Sequence, residues 1–116
     1  MRFVLGMMLL WLMAGAAQAG TVGFQTASIP VAGDKPLAAA IWYPADAPER
    51  EVPLALFRQS VAPDAPVTGR AHPLVVISHG TGGSLVDHYD TAIALAHAGF
   101  VVAAITHTGD TRGDRS

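Results

Sequence analysis

Leu74-Val75-Val76-Ile77-Ser78-His79-Gly80-Thr81-Gly82-Gly83-Ser84, followed at a distance by Leu95-Ala96-His97-Ala98-Gly99-Phe100-Val101-Val102-Ala103-Ala104-Ile105, is the stretch that decides the fold. Leu74–Ile77 is a continuous apolar run rich in β-branched residues, the pattern of a parallel strand buried on both faces, and Ser78 ends it. Three glycines follow within His79–Gly83, and glycine permits positive φ and a close approach of backbone to a ligand. A helix is expected to begin at Ser84, whose hydroxyl suits an N-cap, with Asp87 and Asp90 near the helix end that favours negative charge. Leu85, Tyr89, Ala92, Ile93 and Ala96 make one apolar stripe at helical spacing. His97 falls in the last turn, and Gly99 supplies a left-handed stop. Phe100–Ile105 is a second buried-type strand, which the polar run Thr106–Ser116 leaves as a loop. Strand, glycine loop, helix and strand form one βαβ unit, right-handed by the general rule for parallel crossovers.

Upstream, Val22–Ile29 and Leu37–Tyr43 are strand candidates joined by the turn-like Val31-Ala32-Gly33-Asp34-Lys35-Pro36, which predicts an opening antiparallel hairpin. In the second strand Ile41 and Tyr43 face one way and Trp42 the other, and Pro44 is expected to close the run by removing a ladder donor. From Pro44 to Pro73 the chain carries six of its eight prolines, with charges at Asp46, Glu49, Arg50, Glu51, Arg58 and Asp64, and no sustained period of 2 or 3.6. This predicts a long irregular excursion, in which only Val52–Phe57 offers a short strand or a helical turn.

The first nineteen residues stand apart. Arg2, the apolar run Phe3–Ala16 and the small-residue triplet Ala17-Gln18-Ala19 are laid out as a secretory signal peptide, with cleavage expected after Ala19. The run is shorter than the roughly 20 residues that cross a bilayer, so no stable membrane span is expected after cleavage. The alternative is an uncleaved signal anchor through Leu9, Leu10, Trp11 and Leu12. Residues 20–116 suffice for one small domain, but fall below the roughly 200–250 residues of large single-domain α/β enzymes. The absence of cysteine excludes a disulfide framework, a thiolate nucleophile, a thiolate metal site and a lipoprotein anchor. A net charge of −2, with seven basic residues scattered singly, gives no footprint for nucleic acid.

A glycine-rich turn between a buried strand and a helix presents several backbone N–H groups to one point, with the helix dipole behind them. Three uses compete: a phosphate site, an oxyanion hole and a tight turn with no ligand. The run lacks the lysine and hydroxyl of a P-loop, and Gly80-Thr81-Gly82 matches only the first half of a dinucleotide fingerprint. No acidic residue ends the next strand to hold a ribose, since Ile105 leads into Thr106 and His107.

The stretch Pro73–Ser84, with Leu95–Ala104 and His107 after it, resembles the α/β-hydrolase branch of platelet-activating factor acetylhydrolases and predicted dienelactone hydrolases. Ile41-Trp42-Tyr43-Pro44-Ala45 is similar to the same branch's second strand, so the resemblance covers roughly residues 37–45 and 73–107. It implies the N-terminal part of an α/β-hydrolase sheet, incomplete, with 1–19 as signal peptide and 20–116 as the N-terminal portion of the domain. It also places one oxyanion-hole donor on the backbone N–H of Thr81, supported by His79, Gly80, Gly82 and Gly83. For the parent enzyme the resemblance implies a serine hydrolase acting on small esters or lactones through an acyl-enzyme, with no metal and no organic cofactor.

The family's nucleophile lies in G-x-S-x-G, followed by an acid and a histidine. None of Ser28, Ser60, Ser78, Ser84 and Ser116 has a glycine at both −2 and +2, so nucleophile, acid and base are expected downstream and the chain alone is expected to be inactive. Ser78 is expected to be a satisfied hydroxyl on a buried strand. His88 and His97 lie on the expected helix too far apart to share a metal, His72 precedes the strand, and His107 is expected to anchor a loop. Arg112-Gly113-Asp114 spells an adhesion tripeptide in an ordinary polar loop, which is weak evidence of binding. Two non-catalytic alternatives stand beside the enzyme: a catalytically dead exported binding remnant, and an anion-binding module built on Gly80–Gly83.

Overall fold

The computed structural model describes residues 20–116; the expected signal segment lies outside the described residues. The opening hairpin forms as the two apolar segments predict: β1 (Thr21–Ile29) pairs antiparallel with β2 (Leu37–Ala45), Thr21 opposite Ala45 and Ile29 opposite Leu37. Between them Asp34 N–H donates to Val31 O at 3.3 Å, and Gly33 takes a φ of 78° that glycine adopts without strain. Pro44 does not close β2. Its carbonyl accepts the Thr68 N–H at 2.9 Å, away from β1. A strand residue's N–H and C=O point to the same side, so the donor that proline lacks is one the β1–β2 ladder never uses.

The proline-rich stretch is not the irregular excursion its composition predicts. It contains a second hairpin, β3 (Arg50–Leu54) and β4 (Phe57–Pro63), closed by Ala55-Leu56 with Ala55 at a φ of 53°. Pro53 lies in β3, which is the margin of the sheet, where a missing donor faces no partner strand. Val52, Leu54 and Val61 turn inward, while Arg58 and Glu51 form an exposed ion pair at 3.4 Å that contributes little. Beyond the hairpin, β4 joins β1 in parallel through Gly23–Ala62 and Phe24–Pro63.

The remaining elements are β5 (Leu74–Ser78), α1 (Tyr89–His97) and β6 (Val101–Ile105). One mixed sheet results, in the order β3-β4-β1-β2-β6-β5, with β5 and β6 parallel and β6 antiparallel to β2. The helix begins at Tyr89, not at Ser84. His88 occupies the N-cap position in a left-handed conformation, φ 62°, with no side-chain cap, so it precedes the helix rather than lying on it. At the other end Gly99 N–H donates to Ala96 O and Phe100 N–H to Leu95 O, both at 3.1 Å, closing the helix through the left-handed glycine that the sequence predicts. Among the described residues no helix is long and apolar enough to cross a membrane.

α1 sets Ala92 and Ala96 against the sheet, and their small side chains let the helix approach Trp42, Val22, Val102 and Ala104, in a cluster that Val61 also joins. Phe24 and Trp42 rings stack tilted at 5.2 Å. β5 departs from expectation. Val75 and Ile77 face the core, but Leu74 and Val76 are 63% and 57% exposed on the opposite face, and Ser78 is exposed too. Among the described residues the one helix, α1, packs on a single face of the sheet, so a run composed for burial on both faces is covered on one.

On the other side of β2, Tyr43 donates its hydroxyl to Ala65 O at 2.7 Å, and burial, with the Asp64 carboxylate adding to it, pushes the phenol above its ordinary pKa. The buried Trp42 Nε1–H donates to Gln59 Oε1 at 2.9 Å, a polar link at the apolar cluster. Gln59→Leu therefore strands the indole N–H and costs about 1–3 kcal/mol in urea unfolding. Adding Trp42→Phe to that background costs much less than Trp42→Phe alone would in a chain keeping Gln59; equal costs in both backgrounds would show that the bond carries no coupling.

Candidate active site

β5 and β6 run parallel with Ser78 opposite Ile105, so the segments that leave them, His79–His88 and Thr106–Ser116, start side by side. Hydrogen bonds then stitch the first to the second. His107 N–H donates to His79 Nε2 at 2.9 Å. That fixes the tautomer, because a ring nitrogen accepting a proton bond is unprotonated; the proton sits on Nδ1 and is donated to Gly80 O at 2.7 Å. The two imidazoles lie 4.1 Å apart by ring centroid. His107 Nε2 meets the Ser78 hydroxyl at 2.9 Å, so Ser78 is satisfied as expected, though on an exposed strand.

The glycine turn itself is closed by Gly83 N–H to Gly80 O at 3.0 Å, with Gly82 third in the turn at a φ of 73°, the conformation that a type II turn requires of glycine. Gly82 N–H donates to Asp110 Oδ1 at 3.0 Å, Ser84 N–H to Asp87 Oδ2 at 3.2 Å, and Leu85 N–H to Thr106 Oγ1 at 2.8 Å. Val86 N–H reaches Ser84 Oγ at 3.4 Å, and Asp87 N–H reaches Ser84 O at 3.1 Å. Ser84 thus organises a turn before the helix instead of capping it. From Gly80 to Asp87, only the N–H groups of Gly80 and Thr81 have no partner among the described residues, and both residues are exposed.

This bond pattern separates the competing uses of the turn. A phosphate cradle needs several convergent amides, and most of those here are consumed internally. The Thr81 N–H is left without a partner among the described residues, a single donor rather than a cradle. His79, His107 and Asp110 also bring ligand-type atoms within 4.8 Å of one another. Both ring nitrogens of His79 and one carboxylate oxygen of Asp110 are already engaged in holding the loop, so the cluster acts as a brace rather than as a ligand set.

Of the histidines, His72 lies between carbonyls, with Nδ1 2.9 Å from Gly99 O and Nε2 close to Thr68 O, while His97 ends the helix away from the turn. Arg112-Gly113-Asp114 falls in a turn closed by Thr111 N–H to Asp114 O at 2.8 Å. Sequence reasoning gave no role to Thr106 or Asp110. Asp110 lies 28 positions from Gly82, in a polar run with no periodicity, so no local spacing could reveal it.

A Cβ on Gly83 would overlap Asp87 Oδ2 at 2.2 Å and His79 Cβ at 2.9 Å, whereas one on Gly80 would meet nothing within 4 Å. Gly83→Ala should lower Tm by about 4–8 °C, the equivalent of roughly 1 kcal/mol in a domain of this size. Gly80→Ala should leave Tm within error; equal effects from the two would mean that Gly83 is not held against the loop as described.

Residues 56–112 match the family described as platelet-activating factor acetylhydrolase, isoform II, a span that runs from the β3–β4 turn through the glycine turn to the Asp110 loop. No curated protein is similar enough to match. Among solved structures, a ferulic acid esterase from Streptomyces cinnamoneus is similar with a TM-score of 0.68 and 25% sequence identity, over 85% of this chain and 36% of the esterase. The chain thus spans little more than a third of that enzyme's length, and its mixed sheet with one helix matches a part of the α/β-hydrolase fold. The chain belongs to the α/β-hydrolase superfamily, and over residues 56–112 it is similar to that superfamily's platelet-activating factor acetylhydrolases.

Proposed function

We propose that this chain is the amino-terminal part of an exported serine ester hydrolase and that it supplies one oxyanion-hole donor, the backbone N–H of Thr81. The observation that carries this is the free Thr81 amide in a turn whose following N–H groups are all engaged. When a serine oxygen adds to an ester carbonyl, negative charge develops on the carbonyl oxygen. A donor already fixed in place stabilises that charge without reorganising. The second donor is the amide after the nucleophile, and the acyl-enzyme then hydrolyses by the same route in reverse, without metal or organic cofactor. His79, Gly80, Gly82 and Gly83 hold the turn in shape. Export rests on the signal-like residues 1–19.

Within residues 20–116 the Ser78–His107 contact is a serine–histidine pair, but no carboxylate hydrogen-bonds the other ring nitrogen of His107 among the described residues. A base without an orienting partner, beside a serine that is not on a glycine-flanked elbow, is a poor nucleophile system. Residues 20–116 alone should therefore turn over p-nitrophenyl acetate at background, with Ser78→Ala and Ser84→Ala making no difference. In the full-length enzyme carrying this segment, Thr81→Pro removes the amide hydrogen and should lower kcat by about 10²–10³-fold, while Thr81→Ala, which keeps it, stays near the parent rate. Equal rates for the two variants would remove Thr81 from the oxyanion hole.

A further inference from the structure

Beside the glycine turn lies a cleft of about 380 Å³, within the usual range for a small-molecule site. Leu56 and Phe57 of the β3–β4 turn form an apolar wall, Gly82, Gly83 and Val86 form the floor, and two charged residues of opposite sign, Asp87 and Arg112, also line it. Two features of the apolar wall are unusual. Leu56 is 95% exposed and Phe57 49% exposed, although two-residue hairpin turns favour asparagine, aspartate and glycine. Ala55, moreover, holds a positive φ of 53°, a conformation that costs an alanine energy which glycine would avoid. The wall is nonetheless anchored, because the Phe57 ring packs on Tyr89 at the start of α1, centroid to centroid 5.5 Å.

We propose that this cleft is the binding site for the uncharged apolar arm of the ester, with Leu56 and Phe57 setting the length of arm accepted. The proposal rests on the reading of Thr81 as oxyanion donor: Gly82, the next residue, is part of the cleft floor, so a carbonyl oxygen held by Thr81 can direct its chain along Gly82 and Gly83 toward Leu56. A flexible chain of intermediate length or a single ring suits the volume, and its contacts with Leu56, Phe57 and Val86 are dispersive and apolar.

Acetamide, butanamide and hexanamide, which carry the carbonyl and the arm but are not hydrolysed, test this when titrated into the ¹⁵N-labelled full chain and followed by NMR. The expected result is that all three shift the Thr81 amide and only the longer two shift Gly82, Gly83 and Phe57. Affinity should rise about two- to fourfold per added methylene. Leu56→Ser, at a fully exposed position, should abolish that increment while acetamide still shifts Thr81. Affinity independent of chain length, or a length dependence that survives Leu56→Ser, would overturn the cleft assignment and leave the oxyanion reading intact. Perturbation of Gly82 and Gly83 by hexanamide with no amide shifting Thr81 would instead overturn the oxyanion reading and support the cleft.

Discussion

The hydrogen bond from His107 N–H to His79 Nε2 joins the two segments that leave the parallel strands, and the shape of the glycine turn depends on it. Once Nε2 accepts, Nδ1 has to carry the ring proton and turn it to Gly80 O, which fixes the peptide immediately before Thr81. Gly80 O also accepts from Gly83 N–H, so a single carbonyl is both the brace point of the histidine and the closing bond of the turn. Asp110 and Thr106 extend the same logic, each taking one amide of the turn from across the β5–β6 boundary. What remains unpaired is the pair of N–H groups at Gly80 and Thr81. The chemistry proposed for the site is thus a remainder: it is what the local hydrogen bonding leaves over after every other donor is satisfied.

The sheet makes that arrangement possible. Parallel pairing with Ser78 opposite Ile105 brings both loops out at the same level, and α1 holds β6 and β2 from one side through Ala92 and Ala96. The β3–β4 hairpin contributes Leu54 and Val61 to the same cluster and carries its exposed tip to the edge of the glycine turn. The opposite face is less covered: Leu74 and Val76 stand out from β5 on a side where the described residues offer no partner.

Where local physics alone governs an element, the sequence was a sound guide. The β1–β2 hairpin, the β5–α1–β6 order and the glycine stop at Gly99 follow from period, turn chemistry and backbone conformation. The glycine turn was legible for the same reason, whereas the role proposed for Thr81 comes from the family resemblance and not from period or turn chemistry. The misreadings share a different cause. Ser84 looked like an N-cap because capping residues and turn residues are the same types; its amide is instead engaged by Asp87, and the helix waits for Tyr89. The β3–β4 hairpin was hidden because prolines usually interrupt strands, and here Pro53 lies at the sheet margin where none of its bonds are missed. The composition of β5 reports a strand suited to cover on both faces and not which layers pack on it. Thr106 and Asp110 act through pairings 21 and 28 positions long, beyond any local pattern.

Amide hydrogen exchange across Gly80–Asp87 measures the central claim most directly, because protection reports whether each N–H is bonded. The account predicts fast exchange at Gly80 and Thr81, with protection at Gly82, Gly83, Ser84 and Leu85. Protection at Thr81, or exchange at Gly82 and Ser84 as fast as at Thr81, would contradict it, since the turn would then offer no singled-out donor for an oxyanion.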